Sequence, residues 1–172
     1  MIRIDFAKLR VLVIEDNPNM RRLVRTLLTG LGCRDVMEAE DGAAGLELFR
    51  DNAPDIVVSD WVMPIMDGLD FTRHVRRPGS SANPYVPIII LSGYSERSRV
   101  VQARDAGITE FIVKPISPKR LYQRLVSVVA NPRPFVETKT FFGPDRRRTN
   151  SINYQGPERR KAMMTGVQRM EI

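Results

Sequence analysis

Cysteine, histidine and tryptophan each occur once in 172 residues, and aromatic residues make up only 7%. The single thiol, Cys33, has no partner for an internal disulfide, which excludes a small disulfide-stapled secreted fold. It sits beside a glycine stop signal and receives no role. One cysteine and one histidine cannot supply zinc-ligand spacing, and neither a Walker loop nor a Ser-His-Asp set is present. His74 lies at an arginine-rich helix end with Arg73, Arg76 and Arg77, so it reads as a solvated or capping side chain. Long apolar runs are missing as well. The longest, residues 86–91, is far short of a membrane span, and the opening Met1-Ile-Arg-Ile-Asp-Phe-Ala-Lys returns to charge too early for a signal peptide. The expectation is a soluble cytoplasmic chain with no membrane insertion.

What is present is enough for one packed domain and a tail. Hydrophobic residues make up 42% and charged residues 27%, with a net charge of +7, too apolar and too balanced for a wholly disordered chain. The charge is uneven. Residues 1–130 hold 18 Lys+Arg against 16 Asp+Glu, whereas residues 131–172 hold 9 against 4. The break falls at Asn131-Pro-Arg-Pro134, where two prolines end the helical patterning.

Before that break, short apolar runs alternate with amphipathic stretches. Residues 11–14, 56–58, 87–91 and 111–113 are β-branched or aromatic runs suited to strands buried on both faces, and residues 35–39 form a weaker one. Helices are expected over residues 18–31, 41–51, 68–75, 95–106 and 117–130. The first carries Met20, Leu23, Val24, Leu27, Leu28 and Leu31 at helical spacing; the second turns Leu46 and Phe49 inward; the last turns Leu121, Leu125, Val128 and Val129 inward. Five strands alternating with five helices predict an α/β, doubly wound parallel sheet. Such sheets carry their functional sites beyond the carboxyl ends of the strands.

Those ends carry Glu15-Asp16, Asp60, Ser92 and Lys114. Carboxylates brought together repel one another unless something compensates. Mg²⁺, which favours carboxylate, water and phosphate oxygens, fits that need. The cation would stabilise charge on a phosphoryl group, with Lys114 and Ser92 free to bind its other oxygens. The bland alternative is that a strand-end acid only caps a helix, as Asp16 ahead of Pro18 could.

These residues fall in ordered motifs: Val-Leu-Val-Ile-Glu15-Asp16-Asn17, Asp60-Trp-Val-Met-Pro64 with Met66-Asp67-Gly68, Leu91-Ser92-Gly93, and Val113-Lys114-Pro115. Over about residues 8–130 the chain resembles response-regulator receiver domains of the chemotaxis-regulator type. The resemblance implies a flavodoxin-like fold that takes a phosphoryl group from a sensor histidine kinase or phosphotransfer protein, assisting its own phosphorylation and dephosphorylation and otherwise not acting as an enzyme. It implies Asp60 as phosphoacceptor. Mg²⁺ would be bound directly by Asp16, Asp60 and the main-chain carbonyl of Val62, and by Glu15 through water. Ser92 and Lys114 would read the phosphoryl oxygens, Ser92 and Phe111 would act as the switch, and Lys114-Pro115 would be a cis junction. Phe111 stands where the chemotaxis regulator has tyrosine, so ring packing is kept and the hydroxyl contact is absent. Trp61 and Phe111 also read as ordinary packing residues. Output would be docking on a downstream protein, with the motility apparatus as one candidate.

The tail repeats itself. Residues Phe141-Phe-Gly-Pro-Asp-Arg-Arg-Arg148 align with Tyr154-Gln-Gly-Pro-Glu-Arg-Arg-Lys161 at an offset of 13, with Phe142 against Gln155 as the clear mismatch. The segment is poor in aliphatic residues and is expected to be disordered when unbound. Three readings stand: a solvated basic tail, non-specific nucleic-acid binding through Arg–phosphate contacts, or recognition of a guanine-bearing phosphodiester. No helix-turn-helix pattern follows, which argues against sequence-specific DNA binding. The two-lobed arrangement resembles the arginine-rich extensions of chemotaxis-regulator-like cyclic di-GMP effectors. That resemblance implies Arg146, Arg147 and Arg148 in one lobe and Arg159 and Arg160 in the other, with Asp145 and Glu158 on guanine edges and Tyr154 or Phe142 stacked on a base.

Overall fold

The computed structural model describes residues 4–146 and the backbone of the strand Lys161–Met163. A single 3-10 turn, Phe6–Lys8, precedes the sheet. The alternating elements follow as β1 (Arg10–Ile14), α1 (Pro18–Gly30), β2 (Asp35–Ala39), α2 (Gly42–Asn52), β3 (Ile56–Asp60), α3 (Gly68–Arg76), β4 (Ile88–Ser92), α4 (Arg97–Ala106), β5 (Glu110–Val113) and α5 (Pro118–Ala130). All neighbouring strands of the main sheet are parallel, in the order β2-β1-β3-β4-β5. The chain thus winds outward from β1 to one edge and then to the other, placing a crevice at the carboxyl ends of β1 and β3.

Two hydrophobic layers hold the sheet, one on each face, because strand side chains alternate. Leu12, Ile14, Val57, Ile88 and Ile90 meet α2, α3 and α4 through Phe49, Phe71 and Ala103. Val11, Val13, Val58, Ile89 and Leu91 meet α1 and α5 through Leu28, Leu121 and Leu125. The inward sets expected for α2 and α5 are all buried. In α1 the stripe is narrower than its spacing predicts: Val24 and Leu28 are buried, whereas Leu23 is 43% exposed. The α1 cap is Asn17, whose Oδ1 accepts the Asn19 and Met20 N–H groups at 2.9 and 3.1 Å. Asp16 is therefore not the cap, and its carboxylate is left to the sheet end.

Of the segment after residue 130, the described residues form short paired strands. Strands β6 (Phe135–Glu137) and β7 (Phe142–Pro144) form an antiparallel hairpin, and β8 (Lys161–Met163) pairs with the other edge of β6. The hairpin packs on the amino end of the main sheet, away from the acid rim. Phe135 and Phe142 enclose Tyr85, with ring centroids 5.1 and 5.5 Å away. The Arg133 Nη1 donates to the Thr109 carbonyl at 3.2 Å. A Cβ on Gly143 would stand 2.9 Å from the Phe141 ring and 3.0 Å from the Cα of Gly107, so glycine at 143 lets the hairpin approach this closely. The described hairpin, poor in aliphatic residues, packs on the receiver's surface rather than on a core of its own.

Candidate functional site

The phosphoryl-type chemistry expected at the strand ends finds its residues gathered. Glu15, Asp16 and Asp60 each bring a carboxylate oxygen within 4.8 Å of the others. Glu15 and Asp60 are buried at 1% and 7%, while Asp16 is exposed. Lys114 reaches in from the end of β5, its Nζ 2.8 Å from Asp60 Oδ1 and 3.1 Å from Glu15 Oε2. The Lys114–Pro115 bond is cis, as the resemblance implied.

The electrostatics follow from this crowding. Burial, then the neighbouring charge of Asp60, pushes the Glu15 carboxyl above the ordinary carboxylate range, against the opposing pull of Lys114. Burial pulls the Lys114 ammonium down, but its bonds and charge contacts with Asp60 and then Glu15 outweigh that and raise it. One ammonium among three carboxylates leaves an excess of negative charge and oxygen donors, the donor set a hard divalent cation requires.

The surrounding loops are pinned. Asp67 caps α3, its Oδ1 accepting the Leu69 and Asp70 N–H groups at 2.8 Å each. Gly68 N–H donates to the Trp61 carbonyl at 2.9 Å, and a Cβ at Gly68 would lie 2.1 Å from the carbonyl oxygen of Asp60. Any side chain there would push the Asp60 backbone aside. Met66 accepts at its carbonyl from Gly42 at 3.1 Å, tying the loop to α2. Val62 lies in this loop, its side chain 58% exposed.

Ser92 ends β4 almost fully buried, its Oγ accepting the Tyr94 N–H at 3.0 Å. Phe111 is half-buried and meets Trp61 edge-on at 6.2 Å. Sequence reading missed the third layer of this stack: Arg99 lies 5.5 Å from the Trp61 ring and 5.0 Å from Tyr94. No local pattern marks a cation over two rings from different loops.

Of the tail residues expected to bind a ligand, Phe142, Asp145 and Arg146 are among the described residues. Asp145, expected on a guanine edge, is 8% exposed. Its N–H donates to the Pro134 carbonyl at 2.7 Å. Arg146 pairs with Asp105 at 3.0 Å and lies 4.6 Å from the Phe141 ring centroid. Phe142 belongs to the aromatic cluster rather than to a free stacking platform. Arg147, Arg148, Tyr154, Glu158, Arg159 and Arg160 lie outside the described residues.

The chain is thus a doubly wound α/β domain with an acid rim and a lysine at the carboxyl end of its parallel sheet. Residues 11–126 match the response regulator receiver domain, and the chain belongs to that family. It is 32% identical to chemotaxis protein CheY-3 of Vibrio cholerae over 117 residues, covering 68% of this chain and 88% of that protein. It is 36% identical to chemotaxis protein CheY1 of Helicobacter pylori over 122 residues, covering 70% and 97%. Among solved structures, chemotaxis response regulator CheY4 of Vibrio cholerae superposes with a TM-score of 0.64 at 28% identity, covering 70% of this chain and 98% of that one. A putative response regulator from Chloroflexus aurantiacus gives 0.65 at 25% identity, covering 72% and 98%. The resemblance read from the motifs holds for the receiver. Among the described residues no helix is long and apolar enough to cross a membrane.

Proposed function

We propose that the chain is a phosphorylation-switched response regulator with Asp60 as its phosphoacceptor. The observation that carries this is the Lys114 ammonium 2.8 Å from Asp60 Oδ1 inside a three-carboxylate rim. An oxygen of Asp60 attacks the phosphorus of a phosphohistidine; the new P–O bond forms as the P–N bond breaks and the imidazole leaves. Lys114 and Ser92 bind the transferred oxygens. The carboxylates of Asp16 and Asp60, the main-chain carbonyl of Val62 and, through water, Glu15 would hold Mg²⁺, which supplies charge neutralisation when bound. The donor is a sensor histidine kinase or phosphotransfer protein. Output runs through docking: drawing Ser92 toward the phosphoryl group shifts the Trp61–Phe111–Arg99 stack and with it the face of α4, β5 and α5.

The test is incubation with acetyl phosphate and Mg²⁺, read by intact-mass spectrometry. One phosphoryl adduct is expected on the unmodified chain, and none on Asp60→Asn. Equal adducts on both would remove the assignment.

A second reading attaches to the extension, favoured by its duplicated aromatic, Gly-Pro, acid and basic motif: binding of cyclic di-GMP. Asp145 is buried and Arg146 is paired with Asp105 of the receiver, so the ligand would fall to the remaining basic residues or draw Arg146 off Asp105. Calorimetric competition at physiological salt discriminates. A guanine-reading tail prefers cyclic di-GMP over cyclic di-AMP and single-stranded DNA, whereas a purely electrostatic one binds all three alike and loses them steeply with salt.

A further inference from the structure

Arg76 is a charge the receiver site does not use. It ends α3 in an arginine-rich stretch that composition alone marks as solvated, yet it is only 3% exposed. Its Nε donates to the Gly107 carbonyl at 2.9 Å and its Nη1 to the Pro84 carbonyl at 2.6 Å, and the guanidinium lies 5.0 Å from the Phe135 ring centroid. Among the described residues no carboxylate pairs with it, and its Nη2 has no hydrogen-bond partner. Burial pushes the guanidinium down to about 9, so it still carries its charge at neutral pH. A buried cation without a counter-ion is costly unless something else supplies the negative charge.

Arg76 also lines a cavity of about 350 Å³ between the end of α3 and the β6–β7 turn. Arg73, Arg77 and Lys139 share its wall, facing only Asp105 and Glu137 as acids. Asp105 is already bound by Arg104 at 3.2 Å and Arg146 at 3.0 Å, and Arg73 by Asp70 at 2.8 Å. Thr138 and Thr140 add hydroxyls, and Phe141 and Phe142 an apolar side. Arginines in the last turn of a helix offset its macrodipole, which accounts for the exposed Arg73 and Arg77. It does not account for Arg76, whose buried Nη2 has no partner and whose charge lies just behind the cavity wall.

We propose that this cavity binds a phosphate-bearing anion, with the exposed Arg77 and Lys139 as its cationic contacts and the buried charge of Arg76 behind them. Guanidinium forks match phosphate oxygens in geometry as well as charge. The volume lies in the range of small-ligand sites rather than that of a bare ion, so a phosphate ester with a small organic group is the expected occupant. One wall is receiver and the other is extension. Binding therefore clamps the two together.

The test is amide NMR of the ¹⁵N-labelled full chain at physiological salt. EDTA is included so that the acid rim holds no metal, which keeps failure here separate from failure of the phosphoacceptor reading. Inorganic phosphate, AMP and acetate are titrated separately. Saturable shifts confined to residues 73–78 and 137–142 are expected with both phosphates and not with acetate. AMP is expected to bind more tightly than inorganic phosphate, and equal binding would overturn the assignment of an ester. Arg76 is not replaced, because its other nitrogens hold Gly107 and Pro84. The double variant Arg77→Ala with Lys139→Ala removes two exposed side chains and is expected to weaken binding at least tenfold. Shifts that stay linear, spread over the basic surface, match those with acetate, or survive the double variant unchanged would overturn the proposal.

Discussion

Lys114→Ala is expected to lower the rate of phosphorylation from acetyl phosphate by about 10²- to 10³-fold, the loss seen when one preorganised charge-stabilising donor is removed. The geometry makes the effect large. The Lys114 ammonium is the cation bonded to both Asp60 and Glu15, at 2.8 and 3.1 Å. Without it, nothing else on the β5 side balances charge growing on the transferred group. The same change leaves buried Glu15 beside Asp60 with no ammonium between them. Glu15, already held high by burial and by Asp60, would be driven further toward its neutral form. Mg²⁺ then becomes the remaining source of positive charge at the rim. Its stabilisation of the variant against urea should exceed that of the parent chain, since a ligand stabilises according to its affinity for the folded state. Stopped-flow phosphorylation and urea unfolding with and without Mg²⁺ check both statements. A variant phosphorylated within threefold of the parent would show that Lys114 is not a phosphoryl contact.

Phe135→Ala is expected to destabilise the whole chain by about 3–5 kcal/mol, the usual cost of emptying a buried phenylalanine site. Phe135 is 4% exposed, flanked by the rings of Tyr85 and Phe142, and covers the buried Arg76 guanidinium. Its removal opens a void and strips an aromatic cover from a buried charge, whose cation–π contact adds about 0.5–2 kcal/mol. A chain ending at Ala130 should lose at least as much, because the hairpin then goes entirely and Arg76, Tyr85 and Gly107 meet water. Equilibrium urea unfolding measures both. A loss below about 1 kcal/mol in either case would mean that the hairpin is an appendage rather than part of the receiver's packing.

Local pattern was enough for the receiver because its information is local. Four of the five strands of the main sheet hold a continuous apolar run, β2 being the weaker exception, and α2 and α5 each have one apolar stripe; periods of two and 3.6 residues suffice to read them. The rim was legible for a related reason. Glu15, Asp60, Ser92 and Lys114 sit at or just past the carboxyl ends of their strands, and parallel winding brings every such end to one side of the sheet. Leu23 shows the limit even there: helical spacing placed it in the α1 stripe, but the neighbours that would cover it are not in α1.

The extension was decided by tertiary structure. Its strands are three residues each, too short to announce themselves by alternation, and its aromatics have no core of their own. They become ordered only because Tyr85, Arg76 and Gly107, distant in sequence, stand where Phe135, Phe142 and Gly143 arrive. The same contacts turn Arg76 from an apparent surface charge into a buried one, and Asp145 from an apparent ligand contact into a buried backbone-bonded residue. Composition records how many charges and rings a segment has. Which of them face water depends on long-range packing, and no window of neighbouring residues contains that.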